Sequence, residues 1–124
     1  MVEVRGRDLP DLFSGSVLAL FSLLVDRRTV REAEVRSAEI AGDTVEEQLF
    51  FLLREAFLLF VAHRFLVRNA HVTIDGRQVR LTVRGEPHDV SRHTVGREIK
   101  AVTAHAMAVE RLSRGFLARF VVDV

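Results

Sequence analysis

The chain of 124 residues has no cysteine, tryptophan or tyrosine, only two prolines, and a single lysine, Lys100. Without cysteine there is no disulfide, no thiolate zinc site and no cysteine nucleophile, and the usage fits a reducing compartment. Long hydrophobic runs are lacking as well. The most apolar stretch, Leu49–Ala62, is interrupted after five residues by Arg54-Glu55, whereas a membrane span needs ~20 uninterrupted apolar residues. Charge of one sign is absent: 18 basic residues face 17 acidic ones, a net +1, which does not make a general polyanion binder. No glycine-rich phosphate loop, GxSxG elbow or HExxH pair occurs, so the common motif-driven enzymes find no support. The segment Met1-Val2-Glu3-Val4-Arg5 has no apolar core of a signal peptide, and the expected location is cytoplasmic.

What is present is an ordinary globular composition, 48% apolar and 28% charged, of a length that suits one domain over residues 1–124. Val2–Arg5 alternates apolar and charged residues, as a strand does. Asp8 is a good N-cap and Pro10 fits a first helical turn. Apolar residues then recur at helical spacing, which predicts a helix over Leu9–Val25 with one stripe facing a sheet. Thr29–Ala41 reads as an edge or irregular strand. Gly42-Asp43 is a turn, and Thr44 with Glu47 forms a capping box. The second helix, Val45–Arg64, is apolar almost all round. Either it is covered on several sides, or part of it docks a partner or a second copy. Phe65–Ile74 and Arg77–Gly85 read as a hairpin around a type I′ Asp75-Gly76 turn with one wet face. A loop is expected over Gly85–Gly96, followed by strands over Arg97–Glu110 and Phe116–Val124. The fold class is α/β of the α+β type: two long helices on a mainly antiparallel sheet.

Three groups of residues carry possible chemistry. The run from Glu98 to Val109 reads as a central strand that must be buried on both faces. Its polar members, Glu98, Lys100, Thr103 and His105, are either charged ends in water or a contact surface. His88 and His93 share a polar loop with Asp89, so a metal site is conceivable there, although such histidines are more often solvated or hydrogen-bonded. Asp123 and the carboxylate of Val124 bring oxygens together within two residues. Hard cations such as Ca²⁺ or Mg²⁺ favour oxygen, but two carboxylates need further ligands or water. Taken without context, this terminus is a solvated tail.

The run Glu98-Ile99-Lys100-Ala101-Val102-Thr103-Ala104-His105 resembles the signature of the archease family. The likeness extends to Gly85-Glu86-Pro87-His88-Asp89, to Phe120-Val121-Val122-Asp123-Val124, and to Gly6-Arg7-Asp8-Leu9 with Leu12-Phe13 leading into a helix that ends at Val25-Asp26. Ala104 stands where the family usually has tyrosine. The resemblance implies an archease-like fold and a non-catalytic accessory role: activation of a GTP-dependent tRNA-splicing RNA ligase by promoting its guanylation and multiple turnover. tRNA would be met only indirectly, and no membrane is involved. It implies a divalent metal near the C-terminus, Ca²⁺ or Mg²⁺, held by Asp123, Val124 and an aspartate of an N-terminal His-Thr-Ala-Asp strand. No such strand precedes Gly6, so the chain reads as N-terminally short with an incomplete site. The implied partner contacts are His88, Asp89, His93, Glu98, Lys100, Thr103 and His105. A homo-oligomer through the second helix or an open sheet edge is a further expectation. Two alternatives from the residues alone are a metal-dependent enzyme using Asp123, His88 and Asp89, and an RNA binder using Arg80, Arg84, Arg92 and Arg97. The second would show steep salt dependence.

Overall fold

Asp8 starts the first helix as its side chain requires. Its carboxylate accepts the Asp11 amide at 2.8 Å, and Asp11 in turn accepts the Arg7 amide at 2.9 Å. In the computed structural model, which describes residues 1–96 and 98–124, this helix is α1, Leu9–Leu24, and it follows strand β1, Val2–Gly6. Asp26 then caps a three-residue 3-10 turn, Arg27–Thr29. Residues 30–33 have no regular structure, so the predicted extended segment is a strand only over β2, Glu34–Ala41.

The second helix, α2, spans Val45–His63, with Thr44 at its N-cap. The Thr44 hydroxyl accepts the Glu47 amide at 3.1 Å, as the capping box predicts. The reciprocal bond differs: Glu47 reaches one residue further back and accepts the Asp43 amide at 3.0 Å. At the other end Arg64 takes a left-handed conformation, φ 53°, and its amide closes the last turn.

The hairpin comprises β3, Phe65–Asp75, and β4, Gln78–Pro87. Asp75 pairs with Gln78, so the two-residue loop is Gly76-Arg77 rather than Asp75-Gly76. Gly76 has φ +59°, and Arg77 is not among the residues of positive φ. That sign pattern belongs to a type II′ turn, not the expected I′. The strand also runs further than expected. Glu86 pairs with Leu66 and Pro87 with Phe65, so these two residues are strand and the loop starts at His88. Gly85 permits this continuation: a Cβ there would lie 1.9 Å from the Leu66 carbonyl oxygen, beside a bulge between Val67 and Asn69.

The last two strands are β5, Ala101–Arg111, and β6, Phe116–Asp123. All pairing is antiparallel, and the strands divide into two three-stranded sheets of order β1-β6-β5 and β2-β4-β3 instead of one. Both helices touch both sheets. α1 packs on β1 and β6 of one and β3 of the other; α2 packs on β5 of one and all three strands of the other. This double cover accounts for the apolar girth of α2, whose Leu49, Leu52, Leu53, Ala56, Phe57 and Phe60 are all buried. Leu58 and Val61 stay exposed on the remaining face. No helix among the described residues is long and apolar enough to cross a membrane.

The expectation for the strand after Glu98 is overturned. β5 pairs only with β6 and is an edge strand. Thr103 lies opposite Val121, yet Ala108 already lies opposite Arg119, so three extra residues bulge out between them. Ala106 takes φ 60° there, and residues 104–106 are exposed. A bulge re-aims side chains and blocks further pairing on an open edge. Small residues fit this strand because it turns outward, not because it is packed on both faces.

Candidate functional site

Two polar clusters arise where sequence reading places candidates, and they differ in kind. The first is built on Glu86, near the end of β4. Its carboxylate is buried and receives three donors: the Arg31 amide at 2.7 Å, the Arg92 guanidinium, and His93 Nε2 at 3.0 Å. Burial by itself would raise the Glu86 carboxyl. The Arg31 amide, Arg92 and His93 outweigh it and hold the group below the usual glutamate range. Arg92 and His93 arrive through a tight turn. The Asp89 carbonyl accepts the Arg92 and His93 amides at 3.0 and 2.8 Å, and the Asp89 carboxylate accepts the Ser91 hydroxyl and amide at 2.7 and 3.0 Å. Those Ser91 bonds, with Arg92 nearby, keep the Asp89 carboxyl below its ordinary value.

His93 is buried, and both ring nitrogens are occupied. Nδ1 accepts the Asp89 amide at 2.9 Å, which fixes Nε2 as the donor to Glu86. His88 is half-buried, its ring 6.5 Å from that of Phe60 and 5.9 Å from that of His93, and its Nδ1 meets the Arg64 guanidinium at 3.2 Å. The Arg64 guanidinium also lies 4.9 Å from the Phe60 ring centre. These contacts hold the 88–93 turn against the end of α2.

The second cluster lies where β5 begins and β6 ends. The Lys100 amide donates to the Asp123 carbonyl at 2.7 Å, and Ala101 pairs with Asp123. The two segments singled out in the sequence are therefore neighbours. Glu98, Lys100, His105, Asp123 and Val124 are all exposed. Thr103 is half-buried, and its hydroxyl accepts the His105 amide at 3.1 Å. The pairing sets Lys100 beside Asp123, with Glu98 and His105 exposed before and after it in the same segment.

A metal does not fit this donor set by itself. Asp123 and the Val124 carboxylate supply two carboxylates, and no group of three histidine, aspartate or glutamate side chains gathers among the described residues. Ca²⁺ takes six to eight oxygens and Mg²⁺ near-octahedral oxygen coordination. For the same reason Asp123, His88 and Asp89 do not form an enzyme site: the latter two are taken up around Arg64, Ser91 and Arg92. The arginines of the RNA reading are scattered too. Arg80 faces Glu39 at 3.6 Å, Arg92 is spent on Glu86, Arg84 is exposed on β4, and Arg97 lies outside the described residues.

Sequence reasoning missed Arg31 and Gln48. Arg31 contributes a backbone amide from 55 residues away in sequence, which no side-chain pattern announces. The Gln48 side chain, buried in α2, donates to the Gly76 carbonyl at 2.8 Å and ties the helix to the hairpin turn. A polar residue among apolar ones on a helix was the available signal.

The chain matches the Archease protein family (MTH1598/TM1083) over residues 1–124. It is 30% identical over 124 residues to the protein archease of Pyrococcus abyssi, covering 96% of this chain and 87% of that one. To the protein archease of Methanopyrus kandleri it is 35% identical over 118 residues, covering 92% and 84%. Among solved structures, that of Methanobacterium thermoautotrophicum protein 1598 superposes with a TM-score of 0.83 at 29% identity, covering 98% of this chain and 89% of the other. The Thermotoga maritima archease, described as a possible chaperone, gives 0.71 at 18% identity with 99% and 88% coverage and bears on the fold alone.

Proposed function

Because the chain belongs to the archease family, we propose that it is a non-catalytic accessory protein that activates a GTP-dependent tRNA-splicing RNA ligase by promoting its guanylation. The chaperone-like role suggested for the Thermotoga maritima protein is the coarser form of the same reading. One observation supports it above the others: the exposed Lys100 is joined through its amide to Asp123, so the segment that carries Glu98, Lys100 and His105 runs beside Asp123-Val124. This surface holds charge of both signs in water, as a surface that orients a charged partner does. The 88–93 turn forms a second rigid surface, with Asp89 exposed and His93 supporting it from beneath.

The test is a guanylation and ligation assay with the ligase of the same organism at limiting enzyme concentration. Adding this protein should raise both the guanylated fraction and the product formed per ligase, by at least about 5-fold if the coupling has ordinary allosteric strength. Lys100→Glu and Asp123→Asn should remove most of that gain while leaving the thermal midpoint in place. Unchanged guanylation and unchanged turnover with the folded protein in excess would sink the reading.

A further inference from the structure

Between the C-terminal end of α1 and strand β3 lies a cleft of about 450 Å³, lined by Ser22, Asp26, Arg27, Arg28, Arg68 and Thr94 among others. Two of its arginines are locked together by their backbones. Arg27 Nη1 donates to the Arg68 carbonyl at 2.7 Å, and Arg68 Nη1 donates to the Arg27 carbonyl at 2.8 Å. Arg27 Nε also donates to the Ser22 hydroxyl at 2.9 Å. Crossed bonds of this kind hold two like charges side by side, half-buried, an arrangement that costs free energy unless an anion offsets it.

The local charge does not supply that anion. Arg28 is engaged by Asp26 through two bonds, at 3.0 and 2.8 Å. Asp26 also feels the Arg68 charge, but neither Arg27 nor Arg68 forms a salt bridge among the described residues. The described lining thus has three guanidiniums against one carboxylate. Burial first, and the Arg68 charge second, pull Arg27 below the ordinary arginine value. Each guanidinium carries five N–H donors. The bonds named above use two from Arg27 and one from Arg68, which leaves three on Arg27 and four on Arg68 with no partner named among the described residues.

We propose that the Arg27–Arg68 cleft is a phosphate-binding site that takes the dianionic phosphoryl group of a small phosphorylated ligand. Paired guanidiniums match phosphate oxygens through parallel N–H bonds, which a lone ammonium cannot do. The excess charge of two suits a dianion better than the single charge of a phosphodiester. The lining includes no aromatic side chain, so a nucleobase finds no stacking platform, as single-stranded RNA would require. Recognition stops at the phosphoryl head.

The experiment titrates the intact ¹⁵N-labelled protein separately with inorganic phosphate, pyrophosphate, GTP and an unphosphorylated RNA octamer, at constant ionic strength. Phosphate and pyrophosphate should give saturable shifts confined to amides of residues 22–28, 68 and 94–96. GTP should shift the same amides with no further set from its base. Arg68→Gln should weaken binding at least 10-fold. Arg68→Lys, which keeps the charge but disturbs the crossed carbonyl bonds, should bind more tightly than Arg68→Gln even if its thermal midpoint falls. Shifts that do not saturate, shifts spread over the surface, or an equal response to the RNA octamer would overturn the assignment. The ligase is not involved, so this result stands apart from that of the activation assay.

Discussion

Glu86 shows what a single residue can hold. Its carboxylate joins the segment after the 3-10 turn, the 88–93 turn and β4 through Arg31, Arg92 and His93. Replacing it by glutamine keeps the shape but removes the charge from three charge-assisted contacts, which should lower unfolding free energy by about 1–3 kcal/mol in a denaturant titration. The pH dependence has a definite sign. A carboxyl held lower in the folded than in the unfolded chain contributes stability that is complete above the unfolded value, near 4.5, and drains away as pH falls through the lower folded value. The wild-type denaturation midpoint should therefore drop below about pH 5 more steeply than that of Glu86→Gln. Of such residue-scale features, the caps Asp8 and Thr44 were legible, because capping acts within three or four residues. The Glu86 network was not: Gly85–Asp89 stood out as a motif, but the Arg31 amide that completes it is a long-range backbone donor.

Among the elements, the helices were the easiest to read and the edges of the sheets the hardest. Helical spacing located α1 and α2 to within a residue or two. The small and apolar residues that alternate over Ile99–Val109 read as a doubly buried centre, whereas Ile99 and Val102 are buried before the bulge that carries Ala106 outward. Nothing in alternation announces three extra residues. The turns divide in the same way. Gly76 was marked correctly as a turn glycine, but its place in the loop depends on register, which is set by the full hairpin. Two glycines of left-handed φ allow a paired test. At Gly76 a Cβ would meet open space, so Gly76→Ala should cost only the backbone penalty of about 1 kcal/mol. At Gly115 the added Cβ would also lie 2.2 Å from the Gly6 carbonyl oxygen, so Gly115→Ala should cost at least ~2 kcal/mol. Thermal melts of the two variants, measured together, check the order.

For the whole molecule, the class of fold was legible and the partition of strands was not. Two helices and antiparallel strands follow from periodicity, but the division into two sheets depends on which strands meet across the helices. The candidate surface was found through the family resemblance, and the coordinates add that its two halves touch. The donor count at the terminus leads to one more expected outcome. Isothermal titration of this chain with Ca²⁺ or Mg²⁺ should show no binding tighter than about 1 mM, the weak end for oxygen-ligand sites. Asp123→Asn should leave that result unchanged.

The pairing of β1 with β6 sets an order of events during synthesis. Val2 finds its partner in Phe120 and Gly6 in Phe116, so β1 waits for β6, more than a hundred residues later in the chain. The β2-β4-β3 sheet can assemble with α1 and α2 while the chain is still growing, since every residue it needs precedes residue 88. The other sheet cannot close until β6 has left the ribosomal tunnel. Until then β1 and the apolar flank of α1 stay open to the cell, and a nascent chain arrested short of Phe116 would be the species most exposed to proteolysis and aggregation.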